Sequence, residues 1–254
     1  MTALLLDVEG TLYASGSPLP GAAEAVARLR SAGVAMQFLS NTDSAAGRTL
    51  AAKLCDMGIE VGADEVTTPI DALRLELERE GARCHLLVSS EAEEELRPWA
   101  SEPPVDVVVV GDARERLSYE RLDEAFRLVA EGARLVALQR GRFFLRGDGP
   151  HLDTGAIVAA LEYAAGARAE LVGKPSPAFF RAALERMGAA GSNGQVVVVG
   201  DDADTDVAGG AALGARTVLV RTGKQARRSE DGLDPAPDRV LDSVAALPDL
   251  LERW

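Results

Sequence analysis

The chain has 254 residues, 47% hydrophobic and 26% charged, the proportions of a globular protein long enough to bury about three quarters of its unfolded surface without disulfide staples. Its 40 acidic and 27 basic residues leave a formal charge of −13, which disfavours nucleic acid and repels any anionic small ligand unless a cation or local lysines reverse the field. Two histidines are too few for a zinc site built on three, and Cys55 and Cys84, without metal-ligand spacing, read as thiols in a reducing compartment.

Taken in chain order, short apolar runs alternate with amphipathic segments. Strands are predicted over 3–8, 35–40, 84–88, 105–110, 134–138, 195–199 and 216–220. Helices are predicted over 21–31, 44–57, 70–80, 119–131, 154–165, 177–187, 204–213 and 244–253. Continuously apolar strands separated by helices predict an α/β fold in which a parallel sheet is covered by helices. The polar stretch 224–238 reads as a surface loop. No apolar run approaches the length of a membrane span, and Met1-Thr2-Ala3 leads into Leu4-Leu5-Leu6 with no basic segment before it, so no membrane partner and a cytoplasmic location are expected.

In a parallel sheet, ligands bind at the carboxyl ends of the strands. Asp7, Glu9 and Thr11 follow the first predicted strand, and Ser40 and Asn41 the second. Gly200, Asp201, Asp202 and Asp206 follow the strand at 195–199. Gly173-Lys174-Pro175 precedes the helix at 177–187. Singly, each group is ordinary: a helix cap, a turn, a solvated lysine. Together, at strand ends, they are a site. Carboxylates gathered within a few ångström must take up protons or a cation. Asp7, Asp201 and Asp206 offer hard oxygen donors only, which selects Mg²⁺. An aspartate beside such a metal can act as a nucleophile, Lys174 can neutralise it and an incoming phosphate, and Ser40 and Asn41 can donate hydrogen bonds to phosphate oxygens. The residues alone do not choose between Asp7 and Asp201 as nucleophile. Neither Gly173-Lys174-Pro175 nor the glycines between 209 and 214 have the spacing of a P-loop or a dinucleotide fingerprint.

Leu4 to Tyr13, Ser40-Asn41-Thr42, Gly173 to Pro177 and Gly200 to Asp206 resemble, in order, the four motifs of the haloacid dehalogenase (HAD) superfamily. Their order and spacing resemble its subfamily IIA, the NagD-like phosphatases. Ala160 to Ala164 and Arg221 to Lys224 are similar to the branch of phospholysine phosphohistidine inorganic pyrophosphate phosphatase. The resemblance implies a Rossmann-like core over 1–68 and 170–254 and an inserted α/β cap over 69–169. It implies a phosphatase acting on a small phosphorylated substrate through a phospho-aspartyl intermediate on Asp7. Asp7, the main-chain carbonyl of Glu9 and Asp201 would hold Mg²⁺, with Asp202 and Asp206 behind them. Ser40, Asn41 and Lys174 would bind phosphate. A homodimer through the cap is a further implication.

Glu9 departs from the pattern, which carries Asp at that position as general acid and base. The extra methylene displaces the carboxyl by more than about an ångström. Three other readings compete: a phospho-acceptor signalling module, a HAD-fold protein that binds a phosphometabolite with little turnover, and a phosphomutase. Substrate contacts from the cap are sought among Arg114, Arg116, Tyr119, Arg142 and Arg146, each of which also reads as an ordinary surface residue.

Overall fold

Ala3–Asp7 is buried along its whole length, as its unbroken apolar sequence requires of a strand covered on both faces. It is a central strand of a six-stranded sheet whose order is Arg239–Leu241, Arg216–Val220, Val196–Gly200, Ala3–Asp7, Ala35–Leu39 and Val66–Thr67. Every neighbouring pair is parallel. The register sets Leu6 beside both Val199 and Phe38, and Asp7 beside Leu39. Leu4 and Leu6 pack with Val26, Leu29, Phe38, Leu50 and Leu54 in one core. Burying each such side chain contributes roughly 1.5–3 kcal/mol. The helix Pro177–Arg186, with Phe179 and Phe180 fully buried, packs against the strands Ala3–Asp7 and Ala35–Leu39.

The computed structural model describes residues 2–146, 148–189, 195–224 and 232–254, the side chains of residues 145 and 146 excepted. Two compact units divide the chain. One comprises Met1–Ser40, Gly47–Thr67 and Lys174–Trp254, and the other Asn41–Ala46 and Thr68–Gly173. The second unit has its own parallel sheet, ordered Glu170–Leu171, Arg134–Ala137, Val107–Val110 and Cys84–Leu87. Leu87, Val108, Val110, Leu135 and Ala137 form its core with Ala125, Leu128, Val158 and Leu161 from the helices Tyr119–Ala130 and Thr154–Ala165. An antiparallel hairpin joins Phe143–Arg146 to Gly149–Leu152. Helix starts follow local chemistry. Thr68 caps Pro69–Glu80 and exchanges bonds with Asp71 in a capping box, and Ser118 caps Tyr119–Ala130.

The seven predicted strands form within two residues of their expected limits. Three helices differ. The helix expected over 44–57 starts only at Gly47. Before it, the Ser44 carbonyl accepts from Ser89 Oγ at 3.0 Å and the Ala46 N–H donates to Glu91 at 3.0 Å, so 41–46 is bound into the second unit. The helix expected over 204–213 is a π-turn, Ala203–Val207, followed by an α-helix, Ala208–Leu213. The segment 244–253 splits into a 3₁₀ turn, Val244–Ala246, and a short helix, Leu247–Leu251. The helix Ser90–Leu96 and the strands of two to four residues at 13–14, 17–18, 66–67, 143–146, 149–152, 170–171 and 239–241 were not foreseen. Within the expected loop at 224–238, residues 225–231 lie outside the described residues. No helix among the described residues is long and apolar enough to cross a membrane. Both cysteines are free thiols.

Candidate active site

The strand Ala3–Asp7 ends on a buried carboxylate. The chain then turns sharply. The Gly10 N–H donates to the Tyr13 carbonyl at 2.7 Å and the Leu12 N–H to the Val8 carbonyl at 2.8 Å. This folds Thr11 back so that its hydroxyl donates to Asp7 Oδ2 at 2.9 Å. On the neighbouring strand Gly200 lies one position beyond Val199, the partner of Leu6, and Asp201 follows it. The π-turn then places Asp206 back against this strand end, where its carboxylate accepts from the Asp202 N–H at 3.2 Å. A π-turn at such a place is common at functional sites, because its extra residue re-aims a side chain.

Lys174 enters from the other direction in sequence, ahead of the helix Pro177–Arg186. It is buried, and its ammonium donates to Asp7 Oδ1 at 2.5 Å and to Asp206 Oδ1 at 2.7 Å. Asp7, Asp201 and Asp206 are all buried and each offers one carboxylate oxygen within 4.8 Å of the others. One ammonium cannot balance three carboxylates, and the donors are all hard oxygens. The set therefore fits a divalent cation of the Mg²⁺ or Ca²⁺ kind.

Residues 4–99 match the family described as haloacid dehalogenase-like hydrolase, and residues 171–247 match one described as HAD-hydrolase-like. The chain is 38% identical to the phospholysine phosphohistidine inorganic pyrophosphate phosphatase of Xenopus laevis, over 98% of this chain and 94% of that protein. It is 37% identical to the human haloacid dehalogenase-like hydrolase domain-containing protein 2, over 96% and 93%. The solved structure of a p-nitrophenyl phosphatase from Archaeoglobus fulgidus is 32% identical, with a TM-score of 0.88 over 98% of both chains. The chain belongs to the haloacid dehalogenase-like hydrolases. It is a phosphohydrolase of that family, in the NagD-like branch.

Around the carboxylates of this hydrolase, charge states follow burial. Burial, then the neighbouring charge of Asp7, pushes the Asp201 carboxyl up to about 8. Asp206 is raised as well, by burial and by Asp7, against the pull of Lys174. Burial works against the charge of Lys174, but Asp206 and Asp7 more than offset it, and its ammonium is held well above the usual range. A bound divalent cation relieves the same crowding that raises the aspartates.

The other expected residues distribute as follows. Ser40 is buried just past the strand Ala35–Leu39, one position beyond the partner of Asp7, and its N–H donates to the Thr67 carbonyl at 3.1 Å. Asn41 belongs to the second unit, where its side-chain oxygen lies where a Cβ on Gly173 would stand. The side chain of Glu9 is exposed. Asp202 caps the π-turn by accepting from the Asp204 N–H at 3.0 Å. Burial alone would raise Asp202, but the Lys224 ammonium at 2.5 Å brings its carboxyl below the usual range.

Within the second unit, Arg114 pairs with Asp112 and lies over the Phe144 ring at 4.2 Å. Arg116 pairs with Glu93, whereas Tyr119 and Arg142 are exposed. The side chain of Arg146 lies outside the described residues. Sequence reasoning missed Thr222, Gly223 and Lys224 as neighbours of the site, although Arg221 to Lys224 had stood out as a resemblance. Their signal was available: three polar or small residues one position past the end of the strand Arg216–Val220, which neighbours the strand that leads to Asp201.

Proposed function

We propose that this hydrolase is an Mg²⁺-dependent phosphatase of small phosphorylated compounds, whether phosphomonoester, phosphoramidate or pyrophosphate, working through a phospho-aspartyl intermediate on Asp7. The observation that carries the reading is the placement of Asp7. Its two oxygens are engaged by the Lys174 ammonium and the Thr11 hydroxyl, and it shares a buried cluster with Asp201 and Asp206. Asp201, by contrast, accepts from the Lys224 main-chain N–H, while the Lys174 ammonium donates to Asp7 and Asp206. That favours Asp7 as the attacking carboxylate and Asp201 as a metal ligand, with the main-chain carbonyl of Glu9 as another. Bound Mg²⁺ would neutralise charge on the transferring phosphoryl group.

The carboxylate of Asp7 attacks phosphorus, the bond from phosphorus to the leaving group breaks, and the leaving group takes a proton where its basicity demands one. Water then attacks the acyl phosphate, releasing phosphate and restoring the Asp7 carboxylate. Lys174 holds Asp7 in position and balances charge on the phosphate, with Ser40 and Asn41 as further phosphate donors. Asp206 holds Lys174, and Asp202 supports the turn that carries Asp206. Glu9 is the proton carrier of this scheme. In it, the unit bearing the carboxylates is the core and the unit of 41–46 and 68–173 is the cap. The relatives named as phosphatases of p-nitrophenyl phosphate and of phospholysine, phosphohistidine and pyrophosphate support the substrate class.

The test is turnover of p-nitrophenyl phosphate and a panel of phosphometabolites, with Mg²⁺ and with EDTA. We expect hydrolysis that EDTA abolishes and added Mg²⁺ restores. Full activity in metal-free buffer would sink the site assignment. Binding without turnover on every phosphoester would leave a binding protein, and phosphate delivered to a sugar hydroxyl would identify a phosphomutase.

A further inference from the structure

The Asp201 carboxylate is wedged between two glycines, both with positive φ: +94° at Gly10 and +53° at Gly223. A Cβ at either would run into that carboxylate, and one at Gly223 would also stand 2.6 Å from Gly10 Cα. The residues flanking Gly223 close the arrangement. The Thr222 hydroxyl donates to the Gly10 carbonyl at 2.6 Å. The Lys224 N–H donates to Asp201 Oδ2 at 2.5 Å. The turn therefore grips the Gly10 loop and Asp201 at once.

The contributions are unequal. The Lys224 ammonium reaches Asp202, not Asp201, and its side chain is 68% exposed, so it acts on the turn's neighbour and not on the carboxylate between the two glycines. The Lys224 N–H serves a carboxylate that is only 3% exposed, where a charge-assisted hydrogen bond is strong and directional. With Oδ2 taken by that N–H, rotation of the carboxylate is restrained and the lone pairs of Oδ1 remain for a cation. Restraint of this kind is what outer hydrogen bonds do for metal ligands.

We propose that the Thr222-Gly223-Lys224 turn is a positioning element of the active site, which aims the Asp201 carboxylate at the cation and ties it to the loop that follows Asp7. This rests on the reading above that Asp201 is a metal ligand. Thr222 and Gly223 are its positioning residues, acting through Gly10 and Asp201.

The test is calorimetric titration of Mg²⁺ into the full chain, with thermal melts to confirm folding, for wild type, Thr222→Val, Thr222→Ser and Gly223→Ala. Losing an outer partner typically weakens metal affinity by about 10- to 100-fold. That is the loss expected for Thr222→Val and Gly223→Ala, with Thr222→Ser close to wild type and the KM for p-nitrophenyl phosphate at saturating Mg²⁺ moving less. If Gly223→Ala does not fold, Thr222→Val decides. Wild-type Mg²⁺ affinity in a folded Thr222→Val protein overturns the inference and leaves the proposed function standing. A wild-type protein that binds no Mg²⁺ overturns both.

Discussion

In the proposed mechanism, Lys174 is the residue that lets an acidic cluster meet an acidic substrate. Buried between Asp7 and Asp206, it supplies a compact positive charge where a wider guanidinium would displace one carboxylate. Lys174→Ala should therefore abolish turnover, and Lys174→Arg should not restore it. Equal rates for lysine and arginine would mean that the charge acts from a distance. Asp7→Asn keeps size and removes both nucleophilicity and charge, and loss of a nucleophile costs several orders of magnitude in rate. We expect less than about a hundredth of wild-type turnover in a folded protein; a higher residual rate rules out the covalent route. Glu9 makes a sharper distinction. A well-placed general acid contributes roughly 10² to 10⁴ in rate when the leaving group is a poor one. Glu9 is exposed and longer by a methylene than the residue usual at its place. We expect nitrophenyl phosphate to be cleaved much faster than an alkyl phosphate, and Glu9→Asp to help the alkyl phosphate more. Comparable wild-type rates on both substrates, with Glu9→Asp slowing both, would show instead that glutamate is well placed.

At the scale of elements, the strands could be read from the sequence because each is a short, mostly apolar run, nearly pure Val or Leu in Val107–Val110 and Ala3–Asp7 and mixed in Ala35–Leu39. The carboxylates at their ends could be read for the same reason, since a charge directly after such a run has no packing role. What could not be read was set by partners distant in sequence. Residues 44–46 have a sequence that continues the following helix, yet the backbone and side chains of 41–46 bond to residues of the second unit. Periodicity along the chain cannot register such bonds. Asp206 was legible as an acid but not as part of a π-turn, because the turn is closed by its own carboxylate on the Asp202 N–H. The 222–224 turn was passed over because its use is mostly main chain, which side-chain patterns do not report.

Asp43 gives this scale a measurable consequence. Its carboxylate is buried in the second unit, accepts from the Thr154 hydroxyl at 2.5 Å, and faces Asp153 and Asp112. Burial, only partly opposed by that hydrogen bond, pushes it up to about 7. The folded chain then keeps a proton that the unfolded chain loses near pH 4, so this contribution is full below about pH 4 and is lost as pH rises to about 7. Asp43→Asn carries no titrating proton. Its stability, measured by urea unfolding from pH 5 to 8, should fall less steeply with pH than that of wild type. Parallel profiles would show that Asp43 ionises normally.

Across the whole molecule, if Mg²⁺ binds as proposed, metal binding and proton binding compete for the same carboxylates, which would tie stability to both pH and Mg²⁺. Burial and the crowding of like charges push the Asp201 carboxyl up to about 8 and raise Asp206 as well. Between about pH 4 and pH 8 the folded protein holds protons that the unfolded chain has released, so stability declines as pH rises. Mg²⁺ bound there would need the ionised carboxylates and displace those protons, so its affinity should grow over the same range. At a concentration of about 100 Kd, a ligand of the folded state alone adds about 2.7 kcal/mol. For a chain of this size that raises the melting temperature by roughly 5–10 °C. The expected pattern is a melting temperature that falls from pH 5 to 8 in EDTA and falls less in saturating Mg²⁺, the gap widening with pH. Should the two units melt separately, only the transition of the unit holding Asp7, Asp201 and Asp206 should move with Mg²⁺. The pH dependence due to Asp43, in the other unit, should remain. An Mg²⁺ shift of equal size at pH 5 and pH 8 would mean that the cation binds without displacing protons, and the three carboxylates would then not be its ligands.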